Sequence, residues 1–301
     1  MPAERLALYT TVYPGVEPYL PAWHDSVLNQ TDADFDLCIA LDALRPAQVM
    51  AAVGRTVDAN WVEARPGASP AKIRADALGR LVEEYPAVVL VDSDDVLYPS
   101  RVAAARTMLK DADLTACALD VVDVHGRSLD AVFAAPADVD AASLLPRYNV
   151  FGFSNTAYRS ATLRDCLPVP EHCRLIDWLL ATRAWSDGAT LTFDGTPRMG
   201  YRQYAANVAP MLQPFSADQV LAATGRVLAH YSCVLEGGRP TPDDFRRVLA
   251  AERARVAAFE LRVCRHPNAL AEYVSRLNQL PPMRVWWWQV AHPDLEPTWS
   301  S

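Results

Sequence analysis

Residues 92–95, Asp-Ser-Asp-Asp, carry the strongest chemical signal in the sequence. They follow residues 87–91, a continuous apolar run that is typical of a strand buried on both faces of a parallel sheet. Ligands of open α/β sheets bind at the carboxyl ends of the strands. Crowded carboxylates repel one another unless a cation balances them, and their oxygens suit Mg²⁺ or Mn²⁺. The segment therefore predicts a divalent-metal site made by Asp92, Asp94 and Asp95; a solvated acidic turn is the alternative.

Strand-like and helix-like segments alternate along the first 122 residues. The predicted strands are residues 6–12, 35–41, 57–64 and 86–91, and the predicted helices are residues 17–29 and 69–84. In the second of these helices, Ser69 is the expected N-cap and Pro70 takes the first helical position. The alternation predicts an α/β fold with a Rossmann-like, mostly parallel sheet flanked by helices.

The rest of the chain changes character along its length. Two more strands are expected between residues 114 and 135, a less regular stretch follows, and a helix over 176–186 precedes a strand at 190–193. Beyond residue 210 the apolar spacing predicts three helices. The first is residues 216–236, stopped by Gly237-Gly238; the second is capped by Thr241 with Pro242 at its first position; the third is residues 268–280.

Charge and composition exclude several classes of protein. The chain has 301 residues and a formal net charge of −8, with no basic stripe, so nucleic-acid binding is not indicated. The six cysteines lack CxxC spacing, which gives no support to a zinc or redox site and fits a reduced compartment. No apolar stretch is long enough to span a membrane, and the first residues do not form a signal peptide. We therefore expect a cytoplasmic protein.

Several short motifs, taken together and in order, resemble those of the family 2 glycosyltransferases, which have the GT-A fold. Residues 26–31 are similar to the family's S-V-x-x-Q-T helix end, and residues 67–74 to its G-x-S-x-A-R-N segment. Residues 92–95 stand as its DXD element, residues 176–178 resemble its Glu-Asp-Trp site, and residues 201–207 its Y-R-Q-H-x-x-N element. Three positions depart from the family pattern: Leu41, Ile176 and Tyr204 replace Asp, Glu and His.

The resemblance implies an inverting, metal-dependent transfer of a sugar from a nucleoside-diphosphate donor, a UDP-sugar being favoured, to an acceptor hydroxyl. It implies Asp177 as the catalytic base and the DXD carboxylates as ligands of Mn²⁺ or Mg²⁺. The donor-binding residues that it implies are Thr11, Tyr13, Asp42, Lys72, Arg74, Asp92, Ser93 and Arg202. Those that would line the acceptor pocket are Phe153, Ser154, Asn155 and Trp178.

The same resemblance divides the chain into a GT-A domain, residues 1–210, and a helical C-terminal subdomain, residues 211–301. Within the domain, residues 1 to about 122 would form the donor half and residues 123–210 the acceptor half. The C-terminal region is expected to support the acceptor side or a homodimer. Its three consecutive tryptophans, residues 286–288, are expected to pack rather than to stack on a sugar.

Three alternative functions remain open. The departures at Leu41, Ile176 and Tyr204 are compatible with a GT-A-like binding or scaffold protein that lacks catalysis. A nucleotidyltransferase of related fold would have no use for a base at Asp177. A haloacid-dehalogenase-like phosphatase would use Asp92 as its nucleophile, but the sequence lacks the later acidic pair, and its only lysine after residue 95 is Lys110, too close by.

Overall fold

The structure is a computed structural model that describes residues 5–204, 207, 209–236, 239 and 241–299. Its nine strands are β1 Leu6–Val12, β2 Phe35–Leu41, β3 Asn60–Glu63, β4 Ala87–Leu90, β5 Val96–Leu97, β6 Leu114–Val122, β7 Ser128–Phe133, β8 Thr156–Arg159 and β9 Leu191–Arg202. Its α-helices are α1 Leu20–Leu28, α2 Pro46–Val53, α3 Pro70–Glu84, α4 Arg101–Met108, α5 Ser160–Cys166, α6 Ile176–Ser186, α7 Ala217–Glu236, α8 Asp243–Phe259 and α9 Pro267–Leu277. Shorter helical turns are Ala141–Leu144, Glu260–Cys264 and Pro293–Thr298.

All the strands belong to one mixed sheet with helices packed on it. The order is β3-β2-β1-β4-β8-β6-β9-β5, and β7 pairs with β6. The first four strands are parallel; β8 then runs antiparallel to both β4 and β6, while β9 is parallel to β6. The carboxyl ends of β1, β2 and β4 therefore lie at one edge of the sheet, and the chain leaves β4 at that edge into residues 92–95.

The predicted α/β fold is confirmed, and its central strands form for the expected reason. Every residue of β1 and of β4 is buried. The four residues of β4 are all apolar, as a strand covered on both faces requires, whereas β1 also buries Thr10 and Thr11. The start of α3 is also as predicted: the Ser69 hydroxyl accepts a hydrogen bond from the backbone N–H of Lys72 at 3.2 Å, and Pro70 follows at the first helical position.

Some predicted boundaries differ from the structure. The strand expected at residues 190–193 extends to Arg202, with two register shifts against β6. Thr241 was expected to cap α8, but Pro242 holds the N-cap position in an extended conformation and the helix begins at Asp243. That expectation is wrong because Pro242 has a ψ of 142°, outside the helical range. The predicted stop at Gly237-Gly238 lies outside the described residues.

Helices α7, α8 and α9 follow the sheet, and the chain then returns to it. Trp286 forms an isolated antiparallel bridge with Asn149, its N–H donating to the Asn149 carbonyl at 3.0 Å. This last segment therefore contacts the loop that precedes β8. Whether residues 211–301 form a separate subdomain stays a prediction. Within the described ranges, no helix combines the length and the apolar composition needed to cross a bilayer.

Candidate functional site

The acidic turn after β4 is fixed by hydrogen bonds from two directions. The hydroxyl of Ser93 donates to the carbonyl of Thr11 in β1 at 2.9 Å. The backbone N–H of Asp92 donates to the hydroxyl of Ser154 at 3.0 Å, which ties the turn to the loop before β8. Because β1, β4 and this loop meet here, the three aspartates have well-defined and different surroundings.

Asp95 is turned into the protein and is only 1% exposed. Its carboxylate accepts a hydrogen bond from the backbone N–H of Arg202 at 2.8 Å and another from the Ser154 hydroxyl. Burial raises the pKa of Asp95 well above its ordinary value, and the charges of Asp94 and Asp92 raise it further. Asp95 therefore holds the turn and the end of β9 together.

Asp94 faces an open cleft although it is 7% exposed. The hydroxyl of Tyr204 donates to its Oδ2 at 2.7 Å. Burial raises the pKa of Asp94 to about 6, the neighbouring Asp92 charge adds to the rise, and the Tyr204 hydrogen bond opposes it. Tyr204, which stands where the resembled family has a histidine, thus orients this carboxylate from the side.

Asp92 also lines the cleft and pairs with Arg74. The guanidinium of Arg74 lies 2.9 Å from Asp92 Oδ1, and the Ser154 hydroxyl lies 3.2 Å from Oδ2. The same guanidinium lies over the ring of Phe153, with Cζ 4.2 Å from its centroid. The carboxylate of Asp92 and the ring of Phe153 together hold the Arg74 guanidinium at the wall of the cleft.

A fourth carboxylate, Asp177, reaches the same cleft from the start of α6. The side-chain amide of Asn149 donates to its Oδ2 at 2.9 Å. Burial raises the pKa of Asp177 to about 6; the backbone N–H of Trp178 lowers it, the charge of Asp92 raises it, and that of Arg74 lowers it. The N-cap position of α6 belongs to Leu175, so Asp177 stands inside the first turn.

The side chain of Trp178 fixes the first turn of α6. It is fully buried, its Nε1–H donates to the Leu145 carbonyl at 2.9 Å, and its ring stacks on His230 with centroids 4.0 Å apart. This packing leaves Asp177 little freedom to reorient. A carboxylate held in this way is suited to take a proton from a bound hydroxyl group.

The cleft has a volume of about 190 Å³ and gathers residues from distant parts of the chain. Of the residues expected in the site, it is lined by Tyr13, Arg74, Asp92, Asp94, Phe153, Ser154 and Asp177. Residues of the 201–207 motif that line it are Tyr201, Tyr204 and Asn207. No motif indicated Arg174, Leu175, Ala209, Trp286 and Trp287, which complete it.

The remaining expected site residues do not line this cleft. Five of them are buried: Thr11, Ser93, Asp95, Asn155 and Arg202. Ser93 donates to the Thr11 carbonyl, Asp95 accepts from the Arg202 N–H, and the Arg202 guanidinium donates to the Asp94 carbonyl. The side chain of Asn155 donates to the carbonyl of Cys117. Trp178, in the first turn of α6, is fully buried.

Two further residues that were expected to bind the donor lie elsewhere on the surface. Asp42 follows β2, where its N–H donates to the Val12 carbonyl at 2.9 Å. Lys72 forms an ion pair with Asp76 on α3 at 2.5 Å. Their roles as donor-binding residues stay predictions.

The C-terminal segment supplies part of the wall. All three tryptophans at 286–288 are buried, as the packing interpretation predicts, and Trp286 and Trp287 also border the cleft. The Trp286 ring lies against Phe133, with centroids 3.9 Å apart, and leaves no room beside Gly152: a Cβ there would lie 2.6 Å from its Cζ3. Glycine at position 152 is therefore what lets this ring approach the loop.

The residues present fit a divalent cation that takes some of its oxygen ligands from the protein and the rest from a bound anion. Asp92 and Asp94 offer hard oxygen atoms at the cleft, and their mutual repulsion would be relieved by a cation. Among the described residues, no three His, Cys, Asp or Glu side chains converge to hold a metal ion without help. Such an ion would need oxygens from the ligand itself, as Mg²⁺ often takes from phosphates.

No protein-family model matches the chain, and no curated protein is similar to it in sequence. Solved structures do match its fold. One is residues 1–349 of S. aureus TarS in complex with UDP-GlcNAc, with a TM-score of 0.59 and 16% identity, covering 86% of this chain and 76% of that one. Another is the mannosyltransferase PcManGT from Pyrobaculum calidifontis in complex with GDP-Man and Mn²⁺, with a TM-score of 0.57 and 16% identity.

The match with PcManGT covers 99% of this chain and 88% of that one, so it includes the C-terminal helices. The chain has a GT-A fold. That expectation is confirmed, including the helical C-terminal part. At this level of identity the likeness concerns the fold, and the function has to be argued from the cleft.

Proposed function

We propose that this protein is a glycosyltransferase that moves a sugar from a nucleoside-diphosphate donor to an acceptor hydroxyl, with inversion at the sugar carbon. The observation that carries the proposal is the single cleft in which Asp92, Asp94 and Arg74 meet Asp177. It lies at the carboxyl end of β4, where α/β sheets bind their ligands. The likeness to structures holding UDP-GlcNAc and GDP-Man supports a nucleotide sugar as the donor.

The acidic turn is suited to the diphosphate of such a donor. Two carboxylates at the cleft, Asp92 and Asp94, would hold a divalent cation together with phosphate oxygens. When bound, this cation would offset the negative charge of the departing diphosphate. Arg74 presents a guanidinium at the same wall, and the fork of an arginine can bind phosphate oxygens. Mn²⁺ in the mannosyltransferase complex supports the choice of a divalent ion.

Asp177 is suited to act as the base. A carboxylate with a pKa of about 6 is ionised at neutral pH and binds a proton more readily than an ordinary aspartate. The acceptor oxygen would bond to the sugar carbon as the bond to the diphosphate oxygen breaks, and its proton would pass to Asp177. Asn149, bonded to Oδ2, keeps the carboxylate in place for this transfer. The products are a glycoside of inverted configuration and a nucleoside diphosphate.

The C-terminal region completes the acceptor side in this proposal. Trp287 borders the cleft, and its Nε1–H has no hydrogen-bond partner among the residues that the structure describes. Its ring lies parallel to that of Trp178, with centroids 6.5 Å apart. Because Trp287 is buried, it supports this side of the cleft by packing beside the base.

A direct test combines binding and product analysis. We expect nucleotide sugars to raise the melting temperature in the presence of Mn²⁺, with a preference among UDP- and GDP-sugars. With the preferred donor and a panel of hydroxyl-bearing acceptors, we expect release of a nucleoside diphosphate and of no pyrophosphate. NMR of the product should show the anomeric configuration opposite to that of the donor.

Other outcomes identify the alternatives. Release of pyrophosphate would indicate a nucleotidyltransferase, and retention of configuration would exclude direct displacement with Asp177 as the base. Binding of the donor without transfer to any acceptor, and without slow hydrolysis of the donor, would favour a binding protein that lacks catalysis.

A further inference from the structure

Asp92 would be a ligand of the divalent cation, yet both of its carboxylate oxygens already contact other side chains. The Arg74 guanidinium lies 2.9 Å from Oδ1, and the Ser154 hydroxyl lies 3.2 Å from Oδ2. The side chains of Arg74 and Asp92 are only 22% and 24% exposed, so water screens this ion pair less than it screens a pair at the open surface. The negative charge of Asp92 is therefore balanced by Arg74.

Asp94, the second aspartate at the cleft, is held in a different way. Its Oδ2 accepts a hydrogen bond at 2.7 Å from the hydroxyl of Tyr204, a neutral group. This bond orients the Asp94 carboxylate without supplying a positive charge. Of the two aspartates that would bind the cation, one is thus paired with an arginine and the other with a tyrosine.

Arg74 is held in its position by two contacts. Besides the ion pair with Asp92, its Cζ lies 4.2 Å from the centroid of the Phe153 ring, and all three side chains line the cleft. The guanidinium therefore places a positive charge directly beside a carboxylate that would bind a divalent cation. Because like charges repel, Arg74 in this position opposes the binding of such a cation.

We propose that Arg74 balances the charge of Asp92 while no donor is bound, and that it exchanges Asp92 for the diphosphate when donor and cation bind together. This inference rests on the proposed function, because it requires a diphosphate donor. The exchange is chemically simple, since the N–H groups of a guanidinium fork pair with carboxylate and with phosphate oxygens in the same way. Asp92 is then free to bind the cation, which takes its other oxygens from the diphosphate.

The first part of the proposal is tested by Mn²⁺ binding to the full chain without nucleotide, measured by electron paramagnetic resonance of the free ion. An arginine beside an aspartate lowers the affinity of that aspartate for a proton about ten- to a thousandfold, and a doubly charged ion should be affected at least as strongly. We therefore expect Arg74→Gln to bind Mn²⁺ about tenfold or more tightly than the wild-type chain. Arg74→Lys keeps the positive charge and should stay close to wild type.

The second part is tested with UDP and GDP by calorimetric titration. Arg74→Gln should weaken the preferred nucleoside diphosphate about tenfold, because it removes a charge-assisted hydrogen bond to phosphate. When this nucleotide is saturating, the gain in Mn²⁺ affinity caused by Arg74→Gln should become smaller, because phosphate oxygens then engage Arg74 in the wild-type chain. Tighter metal together with weaker nucleotide is a combination that general damage to the cleft would not produce.

Arg198→Gln is the matched control. It removes an ion pair of similar length, 2.8 Å from Arg198 to Asp194, at a place outside the cleft, and it should leave both affinities unchanged. If circular dichroism shows that Arg74→Gln does not fold, Arg74→Met takes its place, because methionine keeps an unbranched apolar stem against the Phe153 ring.

Three results would overturn the proposal. Unchanged or weaker Mn²⁺ binding by Arg74→Gln would show that Arg74 does not oppose the cation. Equal gains with and without nucleotide would show that Arg74 keeps the same partner throughout. Binding by Arg74→Lys as tight as that by Arg74→Gln would assign the gain to shape rather than to charge. Failure of the proposed function is a separate result, because the Mn²⁺ affinity without nucleotide involves no donor, acceptor or transfer.

Discussion

Gly152→Ala tests how the C-terminal segment is coupled to the proposed base. The added Cβ would lie 2.6 Å from Cζ3 of Trp286 and 3.1 Å from Cζ2. To reach ordinary contact at 3.4 Å, the ring must retreat by about 1 Å. The Trp286 ring is also packed against Phe133, with centroids 3.9 Å apart, so any shift of the ring disturbs that contact. Overpacking of this kind costs about 1–3 kcal/mol of stability.

The displacement should also affect catalysis. The backbone of Trp286 is bridged to Asn149, whose amide holds Asp177 at 2.9 Å. A misplacement of about 1 Å at a reacting group can lower the rate on the order of a hundredfold. We therefore expect Gly152→Ala to melt a few degrees lower and to lose about ten- to a hundredfold in kcat, with the affinity for the donor nucleotide retained.

The assay is thermal denaturation together with steady-state kinetics. The matched control is Gly79→Ala in α3, where a Cβ meets nothing within 4 Å; it should be neutral or slightly stabilising. Trp286→Phe removes the outer ring atoms that clash, so it should partly rescue Gly152→Ala in the double variant. Wild-type stability and turnover in Gly152→Ala would refute the coupling.

Three further outcomes are expected. The rate should fall about tenfold per pH unit below about pH 6 as Asp177 is protonated. Asn149→Leu should move this acidic limb of the pH–rate profile up by about one to two pH units, because a hydrogen bond to a charged group contributes about 1.5–3 kcal/mol. If the limb does not move, it belongs to another group. Chelator should abolish sugar transfer, and full activity in excess chelator would contradict the need for a metal. Asp94→Asn should weaken binding of the donor together with Mn²⁺. Arg74→Gln should weaken donor binding, as calorimetry can show.

The sequence predicts the parts of the site that are local in the chain. The apolar run of β4 and the carboxylates that follow it predict the edge of the sheet at which ligands bind. Asp177 is predicted by its place in a short motif. The difference between Lys72 and Arg74 could also have been inferred: residues two apart on a helix point to different sides, and Ile73 between them is buried. The 67–74 motif alone does not make that distinction.

Other parts depend on contacts between distant segments. Trp286 and Trp287 reach the cleft only because the chain returns to the sheet after three helices, and an aromatic run predicts burial without predicting its neighbours. From the sequence alone, Tyr204 in place of the family's histidine could either weaken or replace the function of that histidine. Its hydrogen bond to Asp94 became visible only with the fold.

The proposed reaction depends on Asp177 as its base, and turnover and donor affinity of Asp177→Asn test that role. Asparagine keeps the size of the side chain but cannot accept the proton of the acceptor hydroxyl. We expect kcat to fall on the order of a hundredfold or more, with the donor affinity and the melting temperature close to wild type. Asp111→Asn, at an exposed aspartate, is the control for the loss of a charge. Near-normal turnover of Asp177→Asn would contradict the central claim.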